Sequence, residues 1–128
     1  MPRLNAGQSA GLTRALDEYE GAVRVAMRAA LLASRQGAGD GGVHDLGDEA
    51  LADELAAVNS ALAERHGREL SQVLQARARL AAGAAGICSD CAGAVGYHRL
   101  LANPLAVRCF ACETRHEHTH AHAATPRL

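Results

Sequence analysis

Two short cysteine knuckles constrain this chain more than any other feature. Cys88-Ser-Asp-Cys91 and Cys109-Phe-Ala-Cys112 hold all four cysteines, with seventeen residues between the pairs. Four thiolates so spaced fit a tetrahedral site. Each knuckle folds back until both sulfurs reach one ion at about 2.3 Å, and the intervening loop brings the knuckles together. Soft sulfur donors in that array select zinc or an iron–sulfur centre, and zinc is the expected ion. With four protein ligands no position is left for water or substrate, so the site is expected to be structural. Paired disulfides would require an oxidising compartment, and the N-terminal residues lack the order of a signal sequence. A redox Cys-x-x-Cys usually comes singly, beside a βαβ pattern that this sequence does not show.

The remainder must fold almost without rings. Tyr19, Tyr97 and Phe110 are the whole aromatic supply, and all thirteen basic residues are arginine. Packing of alanine and leucine on helices is the available substitute for a ring-built core. At 128 residues the chain is one small domain, or a long element carrying one. A formal charge of −1 and a pI near 6.6 give no global field for gripping nucleic acid. No apolar run approaches the ~20 residues that span a bilayer, so a soluble, cytoplasmic protein is expected.

Helical periodicity fills most of the first 82 residues. From Gln8 to about Gln36, Leu12, Leu16, Tyr19, Val23, Ala26 or Met27, and Ala30 or Leu31 recur at three- and four-residue steps. The glycine-rich run beginning at Gly37 predicts a firm break. A second helix is expected from near Asp48 to about Ala82, its stripe formed by Leu51, Leu55, Val58, Leu62, Leu70, Val73 or Leu74, and Leu80. His66 falls on that stripe, where a partly buried neutral histidine is expected. Two helices with narrow apolar stripes and a short polar turn pair antiparallel. The expected fold is mostly α: a long antiparallel coiled-coil hairpin over 8–82 with its tip near 37–50, then a C4 zinc finger over 83–115. A flexible His-rich tail is expected over 116–128. Such an architecture encloses no evident pocket, and no nucleophile–base pair is apparent, so an enzyme is the least favoured reading.

At the tip, local sequence favours helix capping, with Asp45 or Asp48 at the start of the second helix and acids in its first turn. The functional reading is that these carboxylates reach a cationic or metal-containing centre on a partner. The two readings can coexist.

The finger and the tip together resemble a known family. Cys88-x-Asp90-Cys91, Gly96-x-x-Arg99-Leu100-x-Ala102-x-Pro104 and Cys109-x-x-Cys112 resemble the zinc finger of the DksA/TraR family, bacterial transcription factors that bind RNA polymerase. Asp45-x-x-Asp48-x-Ala50 is similar to the motif at that family's coiled-coil tip. The resemblance covers roughly residues 8 to 115. It implies a mechanism without catalysis, in which the protein enters the polymerase secondary channel and alters promoter-complex stability. Asp45, Asp48 and Ala50 would be the effector residues, and one structural zinc on Cys88, Cys91, Cys109 and Cys112 would fix the finger. Arg99, Leu100 and Pro104 would shape the finger and leave the partner to other residues. No direct sequence-specific DNA binding is expected, and a monomer is, because the seam can be buried within one chain.

The sequence departs from that family at three places. The chain begins almost directly with the coiled coil. The positions matching the basic residues of the longer members' guanosine tetraphosphate site are Gln72, Asn103 and Glu113, so little response to that nucleotide is expected. Finally, His116, His118, His120 and His122 alternate after the finger. They form a possible secondary metal site, although a solvated tail is preferred. Two other functions compete with this polymerase-binding one. A nucleic-acid-binding zinc protein is disfavoured by the near-neutral charge and the absence of stacking aromatics in the finger loop. A metal-handling protein would use the His-rich tail but would leave the hairpin unexplained.

Overall fold

The computed structural model describes residues 2–39 and 46–124, with side chains described for 2–35 and 47–120. Among these residues the helices are α1 (Ala6–Gly39), α2 (Leu46–Ala81), α3 (Tyr97–Ala102) and α4 (Phe110–Ala124). Among the described residues there is no strand, only an isolated antiparallel bridge between Ile87 and Ala94. The mostly α architecture expected from the sequence is therefore present. Among the described residues no helix is long and apolar enough to cross a membrane. The chain divides into two compact units, one of Met1–Leu16 with Gln75–Leu128, the other of Asp17–Leu74.

The first unit opens with a cap centred on Asn5. Gln8 N–H donates to Asn5 Oδ1 at 2.8 Å, and Asn5 N–H donates to Gln8 Oε1 at 3.1 Å. This reciprocal box satisfies two otherwise orphaned amides and starts α1 two residues before the expected Gln8. Leu12, Leu16, Ala85, Cys88, Val95, Leu100 and Cys112 form the buried cluster of this unit, with Leu4, Ala76 and Leu80 packed against it. The finger loop thus shares one core with the first turns of α1 and the last turns of α2. Gly11 of α1 is buried against Tyr97, whose phenol oxygen occupies the space a methyl group would need.

The exit from α2 is built just as tightly. Gly83 adopts φ +74°, its N–H donates to Leu80 O at 3.1 Å, and Ala84 N–H donates to Arg79 O at 2.9 Å. These two bonds are the Schellman pair that stops a helix on a left-handed glycine. Arg79 then reaches beyond its own helix, donating through Nη2 to Ala84 O at 3.3 Å and to Ile87 O at 2.8 Å.

In the second unit α1 and α2 run antiparallel. Tyr19 OH donates to Glu69 Oε2 at 3.4 Å, while farther along α1 the hydroxyls of Ser34 and Ser60 lie 3.4 Å apart. On α1 the expected stripe is the inward one, since Val23 and Ala30 are buried and Tyr19, Ala26 and Met27 half-buried. On α2 the expected stripe is corrected. Leu51, Leu55 and Val58 are 55–57% exposed and Leu62 is 38% exposed. The inward residues are Ala52, Ala56, Asn59 and the buried Ala63, followed by Leu70 and the fully buried Val73. The seam is lined by alanine, which lets the backbones approach closely, and the larger leucines fall to the flanks. His66 is half-buried as expected, its Nδ1 enclosed 3.6 Å from Glu69 Oε2, too far for a hydrogen bond.

Two further expectations change. α1 runs through Gly37 to Gly39, because a glycine near a helix end costs only about 1 kcal/mol and does not by itself terminate it. Residues 116–124, expected as flexible tail, continue α4 as helix. The second cysteine knuckle fixes the first turn of α4, and once a turn exists each further residue adds a bond at little cost. Thr114 and Thr119 hydroxyls donate back to Phe110 O and Arg115 O, both at 2.9 Å.

Candidate metal centre

Cys88 ends the first arm of a small turn. Its N–H donates to Gly93 O at 2.8 Å, and Val95 N–H donates to Gly86 O at 2.9 Å, so the knuckle closes on itself. Gly93 N–H points at Cys91 Sγ from 3.4 Å, and Ala92 between them adopts φ +61°. That left-handed alanine is the strained residue of the turn. The second knuckle is made differently. Cys109 directly precedes α4, and Cys112 lies in its first turn, where the helix N-terminus favours negative charge.

The four sulfurs lie within 4.8 Å of one another, and Cys91 Sγ is 3.9 Å from Cys109 Sγ. A tetrahedron of Zn–S bonds of about 2.3 Å has edges of about 3.8 Å, so the cage fits zinc without rearrangement. The donor chemistry fits too, since all four clustered donors are cysteine sulfurs. Cys88 and Cys112 are buried, Cys109 is half-buried and Cys91 is exposed. Backbone amides of Cys109, Cys91 and Asp90 aimed at its sulfur hold the Cys88 thiol down at about 6. Cys112 is pushed up to about 12, chiefly by its hydrogen bond with the Cys109 thiol and then by burial. Without metal, a low member thus sits beside one that keeps its proton, as expected of four thiols crowded around one point. Arg115 adds a cation beside Cys112, its Nη2 3.7 Å from the sulfur.

A shell of arginine contacts braces the cage. Arg108 Nε donates to Asp90 Oδ2 at 3.0 Å and its Nη1 to Glu113 Oε2 at 3.4 Å, so one guanidinium ties the first knuckle to α4. Arg99 Nε donates to Arg108 O at 2.9 Å, Leu100 is buried at 2% exposure, and Pro104 is buried. These three positions do shape the finger. Sequence reading assigned Arg99 to the finger but not the contacts of Arg79, Arg108 and Arg115, which depend on carbonyls, carboxylates and a sulfur brought near only by folding. The doubled knuckle was the signal that found the ligands.

The remaining expected site residues lie elsewhere. Asp48 and Ala50 are exposed in the first turn of α2, while Asp45 falls outside the described residues. His116, His118 and His120 lie along α4, and His122 follows in the same helix. Among the described residues the four cysteines are the one group offering three or more metal-ligand atoms close together.

Comparison with known proteins agrees with this geometry. Residues 83–118 match the prokaryotic dksA/traR C4-type zinc finger. The structure of transcription factor DksA2 from Pseudomonas aeruginosa is similar at a TM-score of 0.80 and 23% identity, covering 91% of this chain and 88% of that one. No curated protein matches the chain by sequence. By sequence, residues 83–118 match that finger, the fold is similar to that of DksA2, and the four cysteines are positioned to bind one metal ion.

Proposed function

We propose that this chain is a transcription regulator that binds RNA polymerase through its secondary channel and alters promoter-complex stability. The observation that carries the reading is the joint match: a dksA/traR finger at 83–118 within a fold shared with a transcription factor over nearly the whole of both chains. In this reading zinc has a purely architectural role. Four thiolates close its coordination, and the finger's few buried aliphatic residues, each worth about 2 kcal/mol, are outweighed by the roughly 10 kcal/mol or more that a structural zinc supplies. The effector end is Asp48 with Asp45 and Ala50, acting by carboxylate charge with no group transfer. The protein works in the cytoplasm as a monomer.

The reading includes weak dependence on guanosine tetraphosphate. Gln72 and Asn103 carry no charge, and Glu113 is anionic and already engaged by Arg108. Arg108 itself faces two carboxylates, Asp90 and Glu113, which leaves it a poor substitute for a phosphate-binding cation.

The test is the lifetime of a stable-RNA promoter complex on purified polymerase, with wild type and Asp48→Asn, each with and without guanosine tetraphosphate. Wild type is expected to shorten the lifetime, the variant to bind without shortening it, and the nucleotide to add little. A wild-type protein that neither changes the lifetime nor competes for the secondary channel overturns the proposal.

A further inference from the structure

The histidines of α4 are absorbed neither by the zinc cage nor by the proposed regulator. His116 and His120 stand one turn apart, with ring centroids 3.9 Å from each other and planes tilted by 36°. His120 Nδ1 lies 2.9 Å from His116 O. A carbonyl oxygen only accepts, so in that contact Nδ1 carries the proton, and the neutral ring keeps its lone pair on Nε2. A backbone-anchored Nδ1–H with a free Nε2 is how metal-binding imidazoles are oriented. His120 is exposed and His116 half-buried, so an ion can reach them without any opening of the fold.

The surrounding sequence is His116-Glu117-His118-Thr119-His120, the H-E-x-x-H spacing on a helix. The chemistry behind that spacing is general. Residues at i and i+4 share a face, and two imidazole nitrogens at about 2.0–2.1 Å from one ion stand roughly 3 Å apart, a separation that these neighbouring rings can meet. Among the described residues no third side-chain ligand joins this pair, so the pattern supports ion capture and not hydrolysis. Cys112, His116 and His120 follow one another at four-residue steps, which places the pair on the same α4 face as the last zinc ligand.

We infer that His116 and His120 form a second metal site, distinct from the cysteine cage, that takes one exchangeable divalent late first-row ion of the zinc, nickel or copper type. Imidazole nitrogen suits these ions, and two protein ligands leave the other positions to water. Binding clips one turn of α4, so it is coupled to helix formation in the residues that follow the finger. The site is independent of the polymerase reading and stands or falls separately from it.

The experiment is nickel titration of the zinc-loaded full chain by calorimetry, with zinc content checked before and after, paired with amide exchange of the α4 segment. Nickel is the probe because it suits imidazole. One nickel per chain is expected, and His116→Gln with His120→Gln should weaken it by about tenfold or more while the finger keeps its zinc. His118→Gln should bind nickel like wild type, and nickel should slow amide exchange over residues 117–124. Unchanged nickel affinity in the His116/His120 variant overturns the proposal. So does loss of binding on His118→Gln, or capture of nickel without slower exchange, since those results describe an unstructured histidine tract.

Discussion

Gly11 of α1 and Tyr97 of α3 share one space: the phenol oxygen of Tyr97 sits where a side chain at Gly11 would begin. Eighty-six positions apart in sequence, they dock the finger's short helix directly onto the backbone of α1.

Gly11→Ala therefore sets two effects against each other. Alanine improves intrinsic helix propensity by about 1 kcal/mol, and the clash with the ring costs about 1–3 kcal/mol. Because a tyrosine ring can partly swing aside, the net loss should be near 1 kcal/mol, read as a lower denaturation midpoint. In a Tyr97→Ala background the same change should become stabilising. A substitution of the same sign in both backgrounds would show that the close approach is not what selects glycine.

The alanine seam makes a paired prediction. Ala63→Leu must fit extra carbons into a buried position and should destabilise by about 1–3 kcal/mol. Leu55→Ala, at a position 55% exposed, should change stability by about 0.5 kcal/mol or less. If the leucine stripe were the true interface, the two costs would be reversed. Chemical denaturation of both variants decides it.

That pair of residues also shows where sequence ceased to be legible. On α1 the large residues Leu12, Leu16 and Val23 really face inward, so periodicity found them. On α2 leucine repeats on one face and alanine on the next, both at helical spacing, and weighting by hydrophobicity chose the larger residue. The seam instead selects by size. The four zinc ligands were legible because the chemistry of a tetrahedral site is written into local spacing. The αL alanine, the Asn5–Gln8 box and the arginine contacts were not, because they rest on backbone angles or on groups distant in sequence.

Ala92→Gly should stabilise the zinc-loaded protein. The left-handed conformation at φ +61° costs alanine about 1 kcal/mol more than glycine, partly offset by glycine's greater freedom when unfolded. A gain of about 0.5 kcal/mol is expected, seen as slower zinc release to a chelator. Faster release would mean that the strain is relieved elsewhere in the knuckle.

Zinc affinity should rise with pH, with the sign set by the cage itself. Cys88, held at about 6, is largely thiolate at neutral pH, whereas Cys112, pushed up to about 12, must lose a proton for the metal to bind. Binding therefore releases protons at pH 7 and above, and more of them below 6, where Cys88 also regains its own. Competition with a chelator from pH 5.5 to 8.5 should show affinity falling, and falling more steeply, toward the acid end. Removal of zinc should unfold the 83–118 segment while helical signal from residues 17–74 persists.

Arg79 ties two carbonyls beyond its own helix, Ala84 O and Ile87 O, with one nitrogen. A guanidinium presents its donors in a fixed fork, so it can hold both at once. The angle at which the chain leaves α2 is thus set by a side chain of the helix, and both carbonyls it grips lie inside the segment that zinc keeps folded. Helix and cage therefore share one bracket: the ion that orders the finger also orders the acceptors by which the helix aims it.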